Sequence, residues 1–199
     1  MRLLSMITVA ALALAAAMPV HAVTRVFTTI LSGAAESPPN GSGGTGSALV
    51  TIDDSAFTMH VEASFSGLSA PNTAAHIHCC TATPITGTAG VATSTPTFTS
   101  FPSGVTSGTY DHTFDMMQAA SWNAAFITAS GGTPALAFSA FLAGMIAGDT
   151  YFNIHTSLNP GGEIRGFLAP LPEPQTYALM LAGLAAIGVA ARRRPIPRD

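Results

Sequence analysis

The chain has 199 residues, 48% of them hydrophobic and only 9% charged, with a formal net charge of -3. It has no Lys, and five of its seven Arg lie in the terminal segments, which leaves Arg25 and Arg165 against eight carboxylates in the middle, a local balance of -6. Such a surface repels polyanions and excludes nucleic-acid binding, and the apolar and aromatic content excludes a polar disordered chain.

Residues 1–22 read as a secretory signal peptide. Met1-Arg2 supplies the positive start, Leu3 to Met18 the apolar run, and Val20-His21-Ala22 a small-residue cleavage site. The export machinery is therefore the first expected partner.

Residues 23–169 read as one all-β domain. From Phe57 to Phe65 apolar and polar residues alternate strictly, the period of a half-buried strand. Shorter β patterns run over 25–31, 47–52, 75–79, 109–114, 151–156 and 163–168, punctuated by Gly, Pro, Asn and Asp, as in a sandwich or barrel. Asn159-Pro160-Gly161-Gly162 supplies the turn residues for a final hairpin. Pro134 to Ala147, poor in β-branched residues and followed by Gly148, predicts a short helix. The Thr, Ser, Gly and Pro-rich span from Thr81 to Gly108 is long for a connection, and its length suits a segment that covers or binds something. Cys79 and Cys80 are adjacent, so they offer no long-range staple.

His76 and His78 lie two apart in a strand and leave the same face, with Ile77 and Cys79 directed to the core; Cys80 would join the rings if the strand ran on. On a later strand His155 shares the outer direction with Tyr151 and Asn153. Imidazoles converging outward from two strands are what Zn or Cu needs, each offering a neutral nitrogen. The alternative is that these rings donate structural hydrogen bonds between strand ends and the 81–108 connection. His60 and His112, on other strands, read as solvated, and Glu163 and Arg165 as a pair that fixes the hairpin, with each other or with neighbouring strands. No G-x-S-x-G elbow and no phosphate-cradling Gly loop occurs.

Residues 170–199 have their own order: Pro172-Glu173-Pro174, an apolar run from Tyr177 to Ala191, then Arg192-Arg193-Arg194. A helix over that run spans ~22 Å, enough to rest in a bilayer with its basic end held cytoplasmic, so it reads as a transient inner-membrane anchor. This tail resembles PEP-CTERM sorting signals of Gram-negative bacteria, with Tyr177 standing where many such tails carry Trp. The resemblance implies processing by an exosortase-like enzyme near the Pro-Glu-Pro and release to the cell envelope, outer surface or extracellular matrix.

The segments Ala75-His76-Ile77-His78, Tyr151 to Thr156 and Pro160-Gly161-Gly162-Glu163-Ile164-Arg165-Gly166 resemble the CHRD domain. That resemblance implies a Greek-key β-sandwich similar to Cu/Zn superoxide dismutase, with no settled activity. The expectation is an exported, non-catalytic module that binds an extracellular protein, a polysaccharide or a metal ion. The rival expectation is a metalloenzyme of superoxide-dismutase-like chemistry at His76, His78 and His155.

Overall fold

The computed structural model describes residues 24–171, 180–184 and 187. The strands are β1 (Thr24–Ser32), β2 (Thr45–Asp53), β3 (Thr58–Ser66), β4 (Asn72–His78), β5 (Gly108–Asp115), β6 (Tyr151–Thr156), β7 (Ile164–Phe167) and β8 (Ala169–Pro170). They form one curled antiparallel sheet in the order β4-β6-β7-β1-β2-β3-β5, with β8 also on β1. β1, β2 and β3 follow one another as hairpins, and β7 returns beside β1, the chain path of a Greek key. The all-β fold expected from the strand patterns is the one observed.

The period-two alternation sets the core. In β3, Met59, Val61, Ala63 and Phe65 are buried, in register with Ile52, Val50, Ala48 and Gly46 of β2. Phe98, from the long connection, closes the curl: its ring lies 5.9 Å from Tyr110 and 5.4 Å from Phe114 on β5, and 5.6 Å from Phe152 on β6. Both ends of the sheet thus meet on one aromatic residue.

Between residues 24 and 171 the described residues form two α-helices where the sequence predicts one. α1 (Ala124–Ala129) is capped by Asn123, and its six residues are too few to display a period. α2 (Pro134–Ala147) matches the expected helix: the Thr133 side chain caps its start, Pro134 opens it, and Gly148 ends it at φ 80°, a left-handed conformation that glycine adopts freely. The signal peptide expected over 1–22 lies outside the described residues, as do Pro172, Glu173, Pro174, Arg192, Arg193 and Arg194. Of the tail run, residues 180–184 and 187 are helical. Among the described residues no helix is long and apolar enough to cross a membrane.

Candidate metal centre

β4 and β6 pair so that Ala74 faces His155, His76 faces Asn153 and His78 faces Tyr151; β7 then sets Arg165 beside Asn153 and Phe167 beside Tyr151. Directly opposed residues project to one side of a sheet, so these polar side chains share the face that turns away from the core. On the core side lie Ala75, Ile77, Phe152 and Ile154, all fully buried. The strand adjacency that a metal site requires is therefore present. Ring centroids of His76 and His155 are 5.0 Å apart, those of His76 and His78 5.7 Å, and those of His78 and His155 5.9 Å. One nitrogen from each ring lies within 4.8 Å of the others.

The rings do not meet solvent as the outward reading expects. His76 is 6% and His78 8% exposed, with His155 half-buried. The cover is the 81–108 connection, which runs along β4 and bonds to it: the Ala92 amide donates to Ile77 O (3.0 Å), the Phe98 amide to Ala75 O (3.0 Å), and the Cys79 amide to Gly90 O (3.1 Å). A stripe that alternation marks as non-core has become an interior layer between sheet and loop.

Each imidazole has one nitrogen held by a backbone carbonyl. His76 Nε2 donates to Pro96 O (2.6 Å), His78 Nδ1 to Ala89 O (2.9 Å) and His155 Nδ1 to Pro160 O (2.9 Å). A carbonyl can only accept, so those nitrogens carry the proton and the tautomer of each ring is fixed. The structural reading of these histidines is thus realised for one side of each ring. The other side, His76 Nδ1, His78 Nε2 and His155 Nε2, is buried without a hydrogen-bond partner among the described residues. Burial depresses the pKa of all three, His76 and His78 to about 4, with neighbouring imidazoles pressing the same way on those two and Arg165 also on His78; the carbonyl bonds partly offset this. Neutral rings, tautomers set by carbonyl acceptors and a free lone pair on each of three neighbouring imidazoles are the donor chemistry of a Zn or Cu site.

Behind His78 stands a stack. Tyr151 lies flat against the ring at 4.6 Å, and its hydroxyl both donates to Ala89 O and accepts from the Ala89 amide (3.2 Å each). The Arg165 guanidinium sits 4.7 Å over the Tyr151 ring, donating to Ala35 O (2.6 Å) and Gly87 O (3.1 Å), with Glu36 at 3.7 Å. Arg165 therefore ties the covering loop to the 3-10 turn at Gly33–Ala35. Burial raises the Glu36 carboxyl to about 7, against the opposing pull of Arg165 and the Ser37 amide.

Glu163 and Arg165 do not pair. Glu163 is 0% exposed and accepts from Ser42 Oγ (2.7 Å), the Ser69 amide (2.6 Å) and Thr156 Oγ1 (2.6 Å). Burial alone would raise its pKa, yet these donors hold it down at about 2. It fixes the hairpin to two other loops. Its partner is not Arg165 because the two side chains answer different surroundings, loop amides and hydroxyls for one and Glu36 with loop carbonyls for the other.

The remaining sequence candidates stay apart from the cluster. His60 pairs with Asp111 (2.8 Å) on the open face of β3 and β5, and His112 packs edge-on against Phe114 at 4.6 Å. β4 ends at His78, so Cys80 does not share the ring face; Cys79 and Cys80 form a disulfide whose sulfurs abut Gly144 of α2. Sequence reading missed Glu36 and the carbonyls of Ala89 and Pro96. A polar backbone group leaves no mark in sequence, but Glu36 is a lone carboxylate in a Gly, Ser and Pro-rich stretch, a placement that could have singled it out.

Comparison with known families is consistent with both sequence resemblances. The CHRD domain profile matches residues 27–168, and that of the PEP-CTERM protein-sorting motif matches residues 170–194. No curated protein and no solved structure matches the chain.

Proposed function

This chain belongs to the CHRD domain family, and from that premise we propose that its domain is a non-catalytic metal-binding module in which His76, His78 and His155 hold one Zn or Cu ion. The PEP-CTERM motif marks it as a protein exported to the Gram-negative cell envelope with exosortase-like processing. Release to the outer surface or matrix, after loss of the tail beyond Pro172, Glu173 and Pro174, is the rest of the proposal.

The observation that carries the metal reading is the set of unpartnered, buried ring nitrogens on three neutral imidazoles. An unsatisfied buried polar atom costs about 1–3 kcal/mol, so three together are a standing cost unless a ligand takes them up. Three imidazoles without thiolate or carboxylate suit Zn or Cu better than Mg or Ca. A binding role is favoured over superoxide-dismutase-like turnover because two of the three rings are sealed beneath the loop and the domain offers only two Arg to guide an anionic substrate. An extracellular protein or polysaccharide would meet the opposite half of the sheet, where a hollow of about 590 Å³ is lined by Ser47, Ser64, Thr109, Glu62 and Asp111.

Elemental analysis of untagged protein tests this. One Zn or Cu per chain is expected, lost when His76, His78 and His155 are all replaced by Ala. Wild-type protein that takes up neither metal, even after loading, defeats the proposal. Turnover of superoxide abolished by His76→Ala would replace the binding role with the enzymatic one. Intact mass of protein recovered outside the cell tests the sorting step: a shortfall equal to the tail supports release, and a full-length mass refutes it.

A further inference from the structure

Eight buried side-chain nitrogen and oxygen atoms lack a hydrogen-bond partner among the described residues, and five of them belong to the three histidines, to Asn153 next to them and to Glu36 beside Arg165: His76 Nδ1, His78 Nε2, His155 Nε2, Asn153 Oδ1 and Glu36 Oε1. Each ring donates through its other nitrogen, so its free nitrogen accepts, and above about pH 7, where Glu36 is ionised, all five act as acceptors. Acceptors cannot satisfy one another, so a bare cation on the three nitrogens would still leave two oxygens unserved.

We infer that a single hydrated divalent cation answers all five: the ring nitrogens bind the ion, and a water in its fourth position donates its two protons to Asn153 Oδ1 and Glu36 Oε1. The inference rests on the metal reading above and adds what completes the coordination shell. Three protein ligands plus water is a recurring four-coordinate arrangement, and a metal-bound water is a strong donor because the ion withdraws charge from it.

Asn153 is placed for this. It stands in register with His76 across β4 and β6 and two residues before His155 on the same strand face, so it leaves the sheet next to both residues. It is 2% exposed, and Glu36 is 7% exposed. The two free oxygens also converge. A β-carbon on Gly162 would sit 2.5 Å from Asn153 Nδ2, 2.7 Å from Asn153 Oδ1 and 2.7 Å from Glu36 Oε1, so the missing side chain, at φ 132°, is what lets the amide and the carboxylate approach one spot. Arg165, 3.7 Å from Glu36, balances the carboxylate, so the pair adds no net charge beside the ion.

The test uses the full-length protein loaded with Cu(II) and exchanged into D2O, with pulsed EPR reading deuterons on a coordinated water. A water signal is expected in the wild type. Asn153→Ala is expected to weaken Cu or Zn binding about 10-fold to 100-fold, the range for losing a group that orients a metal ligand, and to alter the deuteron signal. Asn153→Asp, which keeps an acceptor oxygen in place, is expected to retain both, and serves if the Ala variant fails to fold. Cu(II)-loaded wild type without a coordinated water overturns the inference, and so does an Asn153→Ala variant with unchanged affinity and signal. Loss of affinity without any water signal makes Asn153 a direct ligand, which also overturns it. Wild-type protein that binds no metal defeats the parent reading instead, so the two failures are distinguishable.

Discussion

The two halves of the sheet obey the same alternation and come to opposite ends. On β1, β2, β3 and β5 the polar positions face water, where Ser47 and Ser64 share a 3.1 Å hydrogen bond and His60 meets Asp111, with nothing obliged to pair. On β4, β6 and β7 the equivalent positions lie under the 81–108 connection, and every polar atom there must find a protein partner or a ligand. A polar stripe becomes a site when something closes over it. Burial neutralises the imidazoles, fixes their tautomers through loop carbonyls and leaves lone pairs with one kind of occupant to receive.

The sharpest way to break this contrast is to remove one buried and one open carboxylate. Glu163→Ala strands four groups, Ser42, Ser69, Thr156 and Asn159, and is expected to cost about 3 kcal/mol or more in denaturant unfolding. Glu62→Ala on the open face is expected to change stability by less than about 0.5 kcal/mol. Equal effects would erase the distinction between the halves.

Acid sharpens it next. His76 and His78 titrate at about 4 in the folded chain, below the 6.5 of an unhindered ring. A lowered histidine pKa means the unfolded chain takes up protons first. The contribution to metal-free stability is therefore present above 6.5 and lost as pH falls from 6.5 toward 4. Glu163, held at about 2 against 4.5, adds a further loss between 4.5 and 2. Unfolding free energies measured across this range should slope downward, and the triple Ala variant should flatten the upper part. Metal should stay bound well below pH 6, since the folded rings resist protonation.

The smallest effect belongs to the open half. His60→Ala is expected to cost less than about 0.5 kcal/mol, as for an exposed pair. A larger loss would mean that this face too is covered in solution.

Much of this was legible in sequence, for local reasons. Period-two patterns place the strands, Thr133, Pro134 and Gly148 mark the ends of α2, and the two-residue spacing of His76 and His78 puts both rings on one face. What stayed hidden is non-local. The pairing of β4 with β6 follows from chain path, not from either segment's residues. The contact of Arg165 with Glu36 joins β7 to a turn near the start of the domain. The burial of the rings depends on a Thr and Ser-rich segment whose own sequence does not say where it lies. α1 is too short to show a period, and its Asn123 cap is visible only once the helix is known.

The hydrogen bonds from Ala92 and Phe98 to β4 have a consequence at a larger scale. They occupy one border of the sheet, while β5 at the opposite border has no strand beyond it among the described residues. The row of backbone groups open to a further strand is thus confined to Gly108–Asp115, and a sheet with one open border offers strand addition one place to begin and none to continue.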